Sequence, residues 1–144
     1  MRVNITDILN KYRTVAIIGL SKDPSKDSYR VAEYLKKHGF KIVPINPSAE
    51  EILGEKSYKS LLDLPADSQR TLEIIDVFRP SHEVATIVEQ AIELRKLYGR
   101  PYVIWMQLGI INENAAQTAL RNGLVVVMNK CIMQEHKRRF GAKE

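Results

Sequence analysis

The chain has 144 residues, enough to bury about two thirds of its unfolded surface in one core and too few for a second catalytic unit. Apolar residues make up 44% of it, no run approaches the ~20 apolar residues of a membrane span, and the single cysteine, Cys131, excludes an intramolecular disulfide and a cysteine-built metal site. The formal charge of +5 favours anionic partners, but the excess gathers at His136, Lys137, Arg138 and Arg139, and no helix-turn-helix, RNP-type or zinc-finger pattern accompanies it, so the run reads as the solvated end of a terminal helix.

In chain order, Ile5, Ile8, Leu9 and Tyr12 recur at helical spacing and predict a short amphipathic helix. The opening MRVNITDILNKY lacks the apolar core and cleavage site of a secretory signal, so a cytoplasmic location is expected. Residues 15–18 are continuously apolar, as in a strand covered on both faces, and Gly19 follows where the chain must turn sharply. Residues 20–28 then supply hydroxyls (Ser21, Ser25, Ser28) and ammonium groups (Lys22, Lys26) ahead of a helix over 29–38 that stops at Gly39. Such a helix aims its free N–H groups at whatever occupies the loop. Strand, glycine and helix also describe βα units that bind nothing.

A second strand over 42–45 ends at Asn46-Pro47, because proline lacks a ladder donor and biases the residue before it away from helix. Residues 48–65 are looser, with a short edge strand at 56–58 and a helical turn or two at 60–64. The run 72–78, LEIIDVF, is the next strong strand; Arg79-Pro80-Ser81 leads into a helix ending near Gly99. Residues 102–106 form another strand with Gln107-Leu108-Gly109 as its exit loop. Asn112 caps the following helix and Gly123 stops it. Residues 124–128 are the last strand, followed by Asn129-Lys130-Cys131 and a C-terminal helix.

Strands alternating with helices predict a Rossmann-like doubly wound parallel sheet with helices on both faces, a three-layer α/β/α single domain with strand order 3-2-1-4-5-6. Ligands of such sheets bind outside the carboxyl ends of the strands. A dinucleotide is the first candidate, yet Gly-x-Gly-x-x-Gly is missing after Gly19, and Ile45-Asn46-Pro47 offers no acidic residue for ribose hydroxyls. None of the three histidines has a partner carboxylate suggested by the order of the loops.

Five motifs in this order, VAIIGLS with a Ser/Lys-rich loop, VPINP, DVFRPS, WMQLGI and VVVMNKCIMQEHKR, closely resemble the stand-alone CoA-binding protein family over nearly the whole chain. More distantly the chain is similar to the CoA-binding domain of the succinyl-CoA synthetase α subunit. The resemblance implies a CoA-binding domain over 1–144 and a site for a 3′-phosphorylated ADP, a pantetheine arm and a thiol. Gly19, Leu20, Ser21, Lys22, Ser25 and Lys26 would meet the diphosphate, with Arg30 a bidentate cation one turn in; the alternative for Arg30 is a surface ion pair with Asp27 or Glu33. Asn46 and Pro47 would border the adenosine, or simply end a strand. Phe78, Arg79 and Pro80 would lie along nucleotide and pantetheine, although Pro80 alone also opens a helix. Met106, Gln107 and Gly109 would meet the pantetheine, Gln107 through amide-complementary hydrogen bonds.

Asn129 and Cys131 would stand at the thiol end, Cys131 either as a buried inert side chain or as a mixed-disulfide partner. Two departures from the synthetase pattern fall at Leu108, where an acidic residue is usual, and at Ala49, where a lysine is. Synthetase chemistry needs a phosphohistidine and a nucleotide-activating module, which belong to other domains. The expected function is therefore non-catalytic binding of coenzyme A or acyl-CoA, as carrier, regulator or subunit for a protein partner or a homo-oligomer, with no membrane and no metal. The alternatives are a nucleotide-responsive regulator that binds nucleic acid or protein through its basic C-terminal helix, and an acyltransferase or thioesterase using Cys131.

Overall fold

Short runs of branched apolar residues stack into one parallel sheet in the computed structural model of the chain, which describes residues 3–141. The strands are β1 (Thr14–Ile18), β2 (Lys41–Ile45), β5 (Ile74–Val77), β6 (Val103–Met106) and β7 (Val125–Val127), in the order β2-β1-β5-β6-β7. A two-residue hairpin, β3 (Glu51–Ile52) and β4 (Glu55–Lys56), stands apart. The helices are α1 (Ile5–Lys11), α2 (Asp27–Lys37), α3 (Ala66–Gln69), α4 (Val84–Tyr98), α5 (Glu113–Arg121) and α6 (Ile132–Phe140). No helix among the described residues is long and apolar enough to cross a membrane.

Because side chains alternate across a strand, the sheet has two apolar faces. Ala16, Ile18, Ile75, Val77, Ile104 and Met106 pack against α4 and α5 through Val88, Ala91, Leu94 and Ala119. Val15, Ile17, Ile74, Val103 and Trp105 pack on the other face against α1, α2 and α6 through Leu9, Val31, Leu35 and Ile132. This is the three-layer, single-domain Rossmann-like arrangement expected. The chain leaves β1 along one face through α2 and leaves β5 along the other through α4, so the connections diverge between β1 and β5, where a doubly wound sheet opens its crevice.

The expected third strand is corrected. Only Tyr58 pairs with the sheet, as a single parallel bridge to Ile45 with Asn46 N–H donating to Tyr58 O at 2.9 Å and Tyr58 N–H to Pro44 O at 3.2 Å. Lys56 is instead committed to the hairpin, whose two-residue turn places Leu53 and Gly54 at φ of 54° and 78°, the left-handed pair that matches strand twist. Lys36 at the end of α2 pins that turn, donating to Leu53 O and pairing with Glu55 at 3.1 Å. Helix α3 has no counterpart in the expected pattern. The helix caps agree: Asn112 Oδ1 accepts from Ala115 N–H at 2.9 Å, and Gly99 ends α4 in the left-handed region.

Candidate functional site

At the exit of β1, Gly19 has a φ of 89°, and an added Cβ would lie 2.8 Å from Arg79 Cδ and 3.1 Å from Phe78 O. The exits of β1 and β5 therefore meet with no side chain between them, and Arg79 lies across the glycine. The Phe78 N–H donates to Ile18 O at 2.8 Å, which fixes this contact. Phe78 and Arg79 line clefts on opposite sides of the β5 exit.

Three clefts line this carboxyl edge. The middle one, about 510 Å³, is bounded by Gly19, Ile45, Pro47, Lys59, Arg79 and His82 among others. An outer one, about 830 Å³, runs past Asn46, Pro47, Ala49, Lys56, Tyr58 and Lys59. A third, about 470 Å³, lies between α2 and α6, with Arg30, Phe78, Gln107, Leu108, Cys131 and Met133 on its walls. The sequence-predicted residues Gly19, Arg30, Asn46, Pro47, Phe78, Arg79, Gln107 and Cys131 thus border one continuous edge.

The loop after Gly19 is held by its own polar groups. Ser21 N–H donates to Ser28 Oγ at 2.9 Å and Asp23 N–H to Ser21 Oγ at 3.0 Å. The Asp23 carboxylate accepts from both the N–H (2.9 Å) and the hydroxyl (2.8 Å) of Ser25, bonds that hold its pKa below the usual carboxylate value. Ser25 thus donates its hydroxyl within the loop. Lys22 and Lys26 are exposed, and their ammonium groups make no ion pair or hydrogen bond among the described residues, although the charge of Lys26 acts on Asp23. Arg30 pairs with Asp27, the surface alternative, while still forming part of the third cleft.

Other candidates divide similarly. Leu20 and Met106 are fully buried, so only their backbones can reach a ligand. Asn46 binds the fold through its amide: Nδ2 donates to Leu20 O at 2.8 Å and Oδ1 accepts from Ser48 N–H (2.7 Å) and Ala49 N–H (3.2 Å). It follows the last residue of β2 and also lines the outer cleft. Pro80 begins the 3-10 turn Ser81–Glu83 ahead of α4. Arg79 donates to Glu83 at 3.1 and 2.9 Å, which raises the guanidinium pKa and lowers that of the Glu83 carboxyl. Gly109 N–H donates to Asn129 Oδ1 at 2.7 Å, tying the exit loops of β6 and β7 together.

Gln107 is buried, and its Oε1 accepts from Ile132 N–H at 3.0 Å, at the first turn of α6. Half of its expected amide pairing is thereby taken; Nε2 has no partner among the described residues. Gln107→Ala removes this cap and is expected to cost about 1 kcal/mol of stability, read as a lower urea midpoint; an unchanged midpoint contradicts the capping role. Cys131 is half-buried at the N-cap of α6 and lines the third cleft.

Helices α2 and α6 are clamped along their length. Tyr34 Oη and His136 Nδ1 share a hydrogen bond of 2.7 Å, and the rings of His38, Phe40 and Phe140 surround His136 with centroids 5.4, 5.5 and 5.0 Å away. Of the basic C-terminal run, His136 is buried in this packing and Arg139 partly so, while Lys137 and Arg138 are exposed. Arg138 and Arg139 pair with the buried Glu135 at 3.1 and 2.8 Å, and Lys137 lies over the Tyr34 ring.

Sequence reasoning passed over two residues here. Lys59 borders both the outer and the middle cleft. Asp76, on the strand beneath Phe78, is fully buried with neither carboxyl oxygen partnered among the described residues, and burial raises its pKa well above the ordinary value. A charge inside the apolar run LEIIDVF was the available signal.

The chain matches the profile of the family described as CoA binding domain over residues 13–137. It is 32% identical over 135 residues to the uncharacterized protein YneT of Bacillus subtilis, covering 94% of this chain and 93% of that one. It is 38% identical over 78 residues to the ADP-forming acetate–CoA ligase of Methanocaldococcus jannaschii, a match of 54% of this chain and 10% of the ligase. The structure of cell-free ID.343 from Thermus thermophilus superposes with a TM-score of 0.84 at 34% identity, over 96% of this chain and all (100%) of that one.

Proposed function

Since the chain belongs to the CoA binding domain family, we propose that it holds coenzyme A or an acyl-CoA along the carboxyl edge of its sheet without catalysing a reaction on it. The observation that carries this reading is the crevice at Gly19, where β1 and β5 meet and clefts open on both sides. The nucleotide rests against Pro47 and Tyr58, and its diphosphate lies before α2 within reach of Lys22 and Lys26. The pantetheine crosses Phe78 toward Gln107, whose Nε2 donates to an amide carbonyl, and the sulfur ends beside Cys131.

A binding role fits the placement of the histidines. His38 and His136 sit in the seam between α2 and α6, and His82 stands on the nucleotide side beside Glu83, so none is at the Cys131 end where a thioester carbonyl would lie. The ligand then serves as cargo or signal for a protein partner or a second copy in the cytoplasm.

Competition between CoA and NAD tests the reading. A clear preference for CoA is expected; equal affinities, or no binding of CoA at micromolar protein, overturn it. A second readout follows Cys131. Saturating CoA should slow its alkylation by iodoacetamide at least severalfold, and equal rates with and without CoA would remove Cys131 from the ligand's path.

A further inference from the structure

We infer that Lys59 reads the 3′-phosphate of the nucleotide, so that the site distinguishes a 3′-phosphorylated ADP moiety from its dephosphorylated form; this rests on the CoA reading above. The bridge between Ile45 and Tyr58 sets Lys59 beside the exit of β2, in the wall shared by the outer and middle clefts. It is exposed and has neither ion-pair nor hydrogen-bond partner among the described residues.

The neighbouring cations are occupied. Lys56 lies over the Tyr58 ring at 5.2 Å and opposes Glu51 in the hairpin, and Arg79 is chelated by Glu83. Charge decides on which side of the wall a phosphate dianion sits. Glu50, Glu51 and Asp63 outnumber the two lysines of the outer cleft, whereas in the middle cleft Lys59 and Arg79 face Glu83 alone. The phosphate therefore turns inward to Lys59, leaving the apolar edge of Pro47 for the base. An ammonium on a flexible stem suits this task, since it meets a phosphate as a point charge.

The test compares CoA with 3′-dephospho-CoA by titration of the wild-type chain, Lys59→Gln and Lys59→Arg. Wild type is expected to bind CoA roughly tenfold more tightly than dephospho-CoA, the worth of one charge-assisted contact. Lys59→Gln should weaken CoA alone and bring the ratio near one, and Lys59→Arg should keep most of the preference. A preference that survives Lys59→Gln, or equal weakening of both ligands, overturns the assignment to Lys59. Tight, equal binding of both by wild type also overturns it and leaves the CoA site standing, whereas binding of neither overturns the CoA reading itself.

Discussion

Replacing Gly19 with alanine is expected to lower stability by about 2–4 kcal/mol and to abolish CoA binding at micromolar protein. Two costs combine at this position. A residue with a Cβ is strained at a φ of 89°, and that Cβ would stand 3.1 Å from the Phe78 carbonyl and 2.8 Å from Arg79 Cδ. The arginine side chain can give way, but the carbonyl belongs to a chain segment fixed by the bond from Phe78 N–H to Ile18 O. Gly99 separates the two costs, because it has a similar φ of 79° with nothing within 4 Å of an added Cβ. Gly99→Ala should cost only about 1–2 kcal/mol and leave binding intact. Urea denaturation and CoA titration of both variants decide the matter; equal losses would show that close approach at Gly19 is unimportant.

Asp76 should dominate the pH dependence of stability above about pH 4. Its carboxyl is fully buried without a partner among the described residues, so burial holds the proton on in the folded chain, while the unfolded chain releases it near the ordinary carboxylate value. Between those two pKa values the folded state binds more protons than the unfolded one. Stability is therefore fully present at low pH and falls by about 1.4 kcal/mol per pH unit through that window. Asp23 and Glu83 act with the opposite sign: their lowered pKa values support the fold above the ordinary carboxylate range and lose that support as pH falls below it. Asp76→Asn, neutral at every pH, should match the wild type near pH 4 and exceed it in urea midpoint at pH 7, with a flatter profile between. An Asn variant that keeps the full wild-type slope would assign the decline to other groups.

The sheet and its strand order were legible because each strand is a dense apolar run bounded by glycine, proline or a polar loop, and the loops at the strand ends followed from that order. Asn112 and Gly99 announced their caps by residue type. What escaped depends on partners that a linear reading underweights. The third strand shrank to Tyr58 because a leucine, Leu53, adopts a left-handed turn that no residue preference signals. Asn46 ends its strand as its place before Pro47 suggests, but its amide bonds to Leu20 O, 26 residues away, and to the next turn had no signal in the linear order. Arg79 has its acidic partner four residues on, a helical spacing present in the sequence yet overlooked beside the more conspicuous Pro80. Lys59 gains its position only through the bridge at Tyr58.

The aromatic seam joining Tyr34 to His136 gives the cleft between α2 and α6 the character of a caliper with locked jaws. Arg30 projects from one jaw and Cys131 with Met133 from the other, and neither helix can spread without breaking a shared hydrogen bond and unstacking several rings. Were an acyl-CoA held as proposed, its acyl chain would find no room between these helices and would leave past the solvent-facing Leu108, with the anchorage beneath the same for short and long chains alike.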